Sequence, residues 1–200
     1  MSTAPELRVL TTTKQVVDWT IAAWVDLLTR MSGLSRAELE QPAAIGSWSL
    51  RDLQAHLAAN HRWISGQLEL MLDGGTPDPQ RLYGRTTPPD DPRALGDQDA
   101  RNALDQEHRA DWTLAQVQAE GTEMFARFIA AMARMDDADW SRNLLMTFDG
   151  LQMFLVWTDA AVDAANPLIV PCWRMVCGFA WHHYPHHAED VRRALATRAA

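Results

Sequence analysis

Two cysteines, no cluster of basic residues and no long apolar run mark this 200-residue chain, and each shortage excludes something. Cys172 and Cys177 are five apart, so on a helix they point in different directions. They form neither a CxxC motif nor a disulfide framework, which fits a reducing cytoplasm. Eighteen basic residues stand against 26 acidic ones, for a net charge of -8 with histidine neutral. A surface of that sign repels phosphate backbones, so nucleic acid is not an expected partner. The most apolar region, residues 144–170, is broken by Asp149, Asp159, Asp163 and Pro167. It falls short of the roughly 20 apolar residues of a membrane span. The opening MSTAPELRVL lacks the basic start and apolar centre of a signal peptide. The expected location is the cytoplasm.

What is present points to a globular protein. Hydrophobic residues make up 47% and charged residues 22%, enough for a packed core with a solvated surface. The length suits one domain, residues 1–200. Nine tryptophans are scattered without a repeat period. Packing accounts for most of them, since tryptophan is a large apolar body with one donor. An aromatic pocket drawing on Trp48, Trp63, Trp157 and Trp181 is the functional alternative.

Helical periodicity dominates. Residues Thr12–Met31 carry apolar positions at three-four spacing and stop at Ser32-Gly33. A second helix opens at Ser49, an N-cap with Asp52 in the acidic slot three residues on, and ends at Gly74-Gly75. Leu53, His56, Leu57, Asn60, Ile64, Leu68 and Met71 form its apolar face. Residues 76–96 hold five prolines and two glycines and read as a long loop. A third helix is expected over Gln98–Arg134, with Gly121 as a weak point. Short helical turns are expected around Leu151–Ala164, ending at Pro167. The last helix covers Pro171–Thr197, kinked at Pro185. The fold class is therefore all-α, and four such helices most often form a bundle.

Four of the seven histidines lie in 181-WHHYPHHAED-190. An i,i+4 pair on a helix places both imidazoles on one face, within reach of a single ion. Two such pairs exist, His182 with His186 and His183 with His187. The second continues the row of Val176, Ala180, Val191 and Ala194 and faces the core, whereas the first continues into Asp190 and Arg193, which read as solvated. Two ligands rarely suffice, because catalytic zinc-type sites use three protein ligands plus water. His56, on the apolar face of the second helix, is a candidate third, although a lone histidine there is more often a hydrogen-bonded core residue. His61 and His108 are alternatives that read as partly exposed. Tyr184 is a candidate proton donor, against the reading of a half-buried tyrosine on a helix face. Asn60, one turn after His56, is a candidate ligand contact.

The segment 47-SWSLRDLQAHLAANHRWI-64 resembles the "W-S-hydrophobic-x-D-hydrophobic-x-x-H-hydrophobic" signature of the DinB-like superfamily, the YfiT-type metal-dependent hydrolases. The tail 181-WHHYPHHAEDVRRAL-195 resembles that family's "H-Y-x-x-H" helix, and residues 97–120 are similar to the DfsB-type branch. Two departures stand out: His186 where glutamate is common, and His182 doubling the first histidine. The resemblance implies a four-helix bundle in up-down-down-up order, with 76–96 in a long crossover. It places three metal-binding histidines on His56, His183 and His187. It also implies a divalent ion that activates water or a low-molecular-weight thiol against a small electrophile, as a hydrolase or thiol S-transferase. Imidazole ligation suits Zn, Ni, Fe and Cu alike. The remaining readings are a non-enzymatic small-molecule binder with an aromatic pocket, and a bundle with structural histidines that forms a homodimer.

Overall fold

A computed structural model describes residues 12–75, 98–149 and 152–197. The crossover assigned to 76–96 lies outside the described residues. The chain divides into two compact units. The first takes the described residues of Met1–Ser32, Met132–Leu145 and Trp157–Ala200, and the second those of Gly33–Ala131 and Met146–Val156.

In the first unit, α1 spans Thr13–Met31. The Thr12 hydroxyl accepts from the Gln15 amide, which caps the start, and Ser32 ends the helix. Val16, Thr20, Trp24, Leu27 and Met31 are buried, three or four residues apart, so one stripe faces inward. Lys14 with Asp18 and Arg30 with Asp26 pair on the solvated side, where ion pairs add little stability. The start of α1 is tied to a distant segment. Thr13 donates its hydroxyl to the Met135 carbonyl (2.7 Å) and accepts from the Trp140 indole (3.0 Å). Trp140 is fully buried.

Residues 144–170 are not helical. Strands β1 (Asn143–Asp149), β2 (Gln152–Thr158) and β3 (Ile169–Pro171) form a small sheet in the order β2-β1-β3. Within the first unit, Leu144 pairs with Val170 and Leu145 with Ile169 in an antiparallel ladder. The all-α expectation is corrected accordingly: the chain is mostly helical and carries this sheet. The helical turns expected over Leu151–Ala164 are replaced by strand in the described part of Leu151–Thr158 and by irregular chain beyond it.

The single C-terminal helix expected over Pro171–Thr197 is also corrected. It comprises α6 (Cys172–Val176), a π turn (Phe179–His183) and α7 (Tyr184–Ala196). Pro185 has no N–H for the Trp181 carbonyl. The chain meets that loss with a widened turn just before it, in which the Tyr184 amide bonds to the Phe179 carbonyl five residues back. Helix α7 runs against α1, and the rings of Trp24 and Tyr184 are 5.4 Å apart.

In the second unit, α2 (Arg36–Leu39) carries a capping box of Ser35 and Glu38. A tight turn follows, with Ile45 and Trp48 exchanging both backbone bonds (2.8 and 2.9 Å) around Gly46 at φ +59°. That turn delivers Trp48 and Ser49 to the start of α3 (Leu50–Asp73), where Ser49 and Asp52 form the expected capping box. Gly74 closes the helix in the left-handed conformation. The helix expected over Gln98–Arg134 is two helices, α4 (Gln98–His108) and α5 (Leu114–Ala133). The break is not at Gly121. It lies at residues 109–113, where Thr113 and Gln116 cap the second helix reciprocally.

An ionic cluster fixes this corner. Arg109 is fully buried and holds Glu120 through two hydrogen bonds of 2.6 and 2.9 Å, and Arg62 reaches the same carboxylate. Arg127 joins Glu69 across α5 and α3 in the same bidentate way (2.7 and 2.8 Å). Gln67 seats strand β2 on α3, donating to the Met153 carbonyl at 2.7 Å and accepting from the Leu155 amide at 3.1 Å. No described helix is long and apolar enough to cross a membrane.

Candidate metal centre

The C-terminal histidines separate by burial. His182 and His186 are exposed, His183 is half-buried and His187 is only 8% exposed. The deepest line of α7 passes through Tyr184, Ala188, Val191 and Ala194 and places the pair on its flank. The imidazoles of His183 and His187 meet edge to face, with ring centroids 4.7 Å apart. The structure thus brings together the pair favoured by helical phase, across the junction of the π turn and α7.

Asp190 reverses its expected role. It is 8% exposed, not solvated, and its Oδ2 lies 3.0 Å from Nδ1 of His187. A carboxylate only accepts, so this bond puts the His187 proton on Nδ1 and leaves Nε2 unprotonated. That is the tautomer of a metal-ligating histidine whose other nitrogen is held by a carboxylate. Arg193 donates to the second oxygen of Asp190. Burial lowers the pKa of His187, against the opposing pull of Asp190, and favours the neutral imidazole a metal requires. Sequence reasoning missed Asp190 as part of the site. Its signal was the i,i+3 spacing from His187, which places both on one helix face.

In the second unit, His56 is buried on α3 at 4% exposure. The Trp48 ring lies 5.0 Å from the imidazole, and the side-chain nitrogen of Asn60 is 3.2 Å from Nε2 and 3.3 Å from Nδ1. Asn60 also donates to the His56 carbonyl at 2.8 Å. The motif tryptophan and the asparagine one turn on both contact the candidate ligand.

His61 corrects another expectation. It is fully buried, stacked on Phe128 at 5.7 Å and beside Phe125 at 5.3 Å, and burial pushes its pKa down to about 3. It is a neutral core histidine. His108 is half-buried, as expected. Tyr184 is 1% exposed among Trp24, Phe179 and His183, deeper than the half-buried position read from sequence. Burial raises its pKa well above the usual value, which makes it a weaker acid. Of the four tryptophans offered for a pocket, Trp48, Trp63 and Trp157 are half-buried, and the Trp181 side chain lies outside those described. The Trp157 ring is covered by the Arg142 guanidinium at 4.0 Å.

The family model of the mycothiol maleylpyruvate isomerase N-terminal domain matches residues 21–162, well over half of the chain. The chain belongs to that family. With it comes membership of the DinB-like superfamily, as the two signatures implied; the match does not single out the DfsB-type branch. No curated protein matches the sequence. Two solved structures share the fold at low identity. One is a mutant of the mycothiol-dependent maleylpyruvate isomerase, at 16% identity and a TM-score of 0.59; the alignment covers 96% of this chain. This chain spans 63% of that enzyme's length. The other is YfiT from Bacillus subtilis, described as a probable metal-dependent hydrolase with an unusual four-helix bundle topology. It aligns at 14% identity and a TM-score of 0.55, over 99% of this chain and 94% of its own.

Proposed function

We propose that the chain is a metal-dependent enzyme in which His56, His183 and His187 hold one divalent ion, and in which a low-molecular-weight thiol reacts with a small electrophile. The observation that carries the reading is the His183–His187 pair, with Asp190 holding the Nδ1 proton of His187. With the proton held on Nδ1 by Asp190, the unprotonated nitrogen of buried His187 is Nε2, the tautomer a ligating histidine takes. His56 is the third ligand in this reading, with Asn60 and Trp48 against its ring setting its orientation. A divalent ion so held lowers the pKa of a thiol or water bound to it, which supplies a nucleophile near neutral pH.

The choice of thiol over water rests on the family, whose model is named for a mycothiol enzyme. Hydrolysis is the second reading, favoured by the description of YfiT as a hydrolase. In either case the chain is read as one DinB-like domain, residues 1–200. Free, buried Cys172 and Cys177 fit a cytoplasmic setting.

Metal analysis of the purified full chain tests the site. One equivalent of divalent ion is expected in the wild type, lost in His56→Ala, His183→Ala and His187→Ala and kept in His182→Ala. Absence of stoichiometric metal, with His56→Ala changing nothing, sinks the proposal and leaves an aromatic small-molecule binder. Turnover of a model aryl halide only when thiol is added identifies thiol transfer, whereas turnover of an ester without thiol identifies hydrolysis.

A further inference from the structure

His187 has a second set of neighbours with ligand chemistry, all on α7. The side chains of His186, His187 and Asp190 each offer one ligand atom, and these lie within 4.8 Å of one another. Oδ2 of Asp190 is the common point, 3.0 Å from Nδ1 of His187 and 3.5 Å from Nε2 of His186. An ion about 2.1 Å from each ligand needs ligand atoms roughly 3.4 Å apart at a tetrahedral angle. The two distances bracket that separation. His186 is exposed while the other two residues are buried, so the triad opens to solvent on one side. Arg193 is bonded to Oδ1, so the oxygen that faces both imidazoles is Oδ2.

We propose that His186, His187 and Asp190 form a second divalent-metal site, which takes a zinc-type ion through two imidazoles and one carboxylate. Resting on the function proposed above, it further follows that this site and the one using His183 exclude each other. A neutral imidazole carries one proton and one lone pair. With the proton on Nδ1 and bonded to Asp190, Nε2 can serve an ion shared with His183. An ion at the outer triad takes the Nδ1 lone pair. The displaced proton returns to the ring at Nε2, where it blocks coordination. Asp190 therefore either orients His187 for the inner ion or binds the outer one. Excess zinc acts on the enzyme through this choice.

Zinc titration by calorimetry, on full-length variants whose fold is checked by circular dichroism, separates the sites. His183→Ala, which purifies without the inner ion, is expected to take up one added zinc ion through the outer triad. Adding His186→Ala should weaken that binding at least tenfold, and adding His182→Ala instead should leave it unchanged. Equal affinities in the two double variants, or no zinc binding by His183→Ala, would overturn the outer site. The inner site is judged separately, by whether His186→Ala retains one ion that His56→Ala then removes.

Discussion

Glu120 offers the sharpest test of how the second unit is held together. It lies 6% exposed, with fully buried Arg109 on one side and Arg62, 13% exposed, on the other. Glu120→Ala leaves two guanidiniums in a low-dielectric corner, with Asp105 the remaining carboxylate beside Arg109. Removing one partner of a buried pair costs about 3–5 kcal/mol, chiefly as the penalty of the uncompensated charge. At about 2–4 °C per kcal/mol for a chain of this size, the melting temperature should fall by roughly 6–20 °C. Thermal denaturation followed by far-UV circular dichroism reads it directly. Replacing all three residues by apolar ones of similar volume (Arg62→Met, Arg109→Met, Glu120→Leu) should recover most of the loss, because no charge then stays buried. The pH dependence has a fixed sign. Burial alone would raise the Glu120 pKa, but Arg109 and Arg62 bring it below the usual 4.5. A depressed carboxylate contributes stability that is present above its unfolded pKa and lost as pH falls through the folded one. The wild type should thus approach the stability of Glu120→Gln in acid. A melting temperature in Glu120→Ala within about 2 °C of wild type would refute the claim that this pair locks the α4–α5 corner.

Three further outcomes follow from the same structure. Asp190→Ala removes the partner of His187 Nδ1 and should weaken binding of the inner ion by about 10–100-fold, measured by competition with a metallochromic chelator; unchanged affinity would mean that the tautomer is set elsewhere. Gln67→Leu strands the Leu155 amide and the Met153 carbonyl against α3 and should cost about 2 kcal/mol in urea denaturation, with β2 losing amide-exchange protection first. His61 stays neutral down to a pKa of about 3 when folded but takes up a proton below 6.5 when unfolded, so stability falls as pH drops through that window. Roughly 2 kcal/mol should be lost by about pH 5, and His61→Leu should flatten the slope.

The parts of the fold legible in the sequence are those governed by local chemistry. Thr12, the Ser49–Asp52 box and Gly74 each mark a helix end through a bond within four residues, and each is found where the pattern put it. Two local signals were present and overlooked. Thr113-x-x-Gln116 is a capping box that splits the expected helix over 98–134, and Ser35-x-x-Glu38 is another that makes α2. The strands were hidden for a different reason. Runs such as Leu144-Leu145-Met146 and Phe154-Leu155-Val156 are apolar on successive residues, and periodicity cannot separate a covered strand from a buried helix there. The Asp149-Gly150 dipeptide between those runs is a turn signal in the sequence that argues against one continuous helix. Tertiary burial was not legible at all for His61. It lies five residues from His56, on another face of α3, and only a helix buried on several faces encloses both.

Asp190 shows where phase arguments on a single helix stop. Spacing across the π turn and α7 separates His183 and His187 from the more exposed His182 and His186, because which of two i,i+4 pairs faces inward depends on the apolar residues in line with each. The same spacing puts Asp190 i,i+4 from His186 and i,i+3 from His187, so phase alone assigns it to either pair. Reading it as solvated followed from its place in line with His182, His186 and Arg193. Its burial is tertiary, as is the 3.0 Å bond to His187, and together they convert a histidine pair into an oriented one. One carboxylate shared by a buried imidazole, an exposed imidazole and an arginine cannot serve all three claimants equally once an ion is present. Which claimant prevails sets the His187 tautomer, and the tautomer decides which ring nitrogen carries the lone pair that the proposed ion would need.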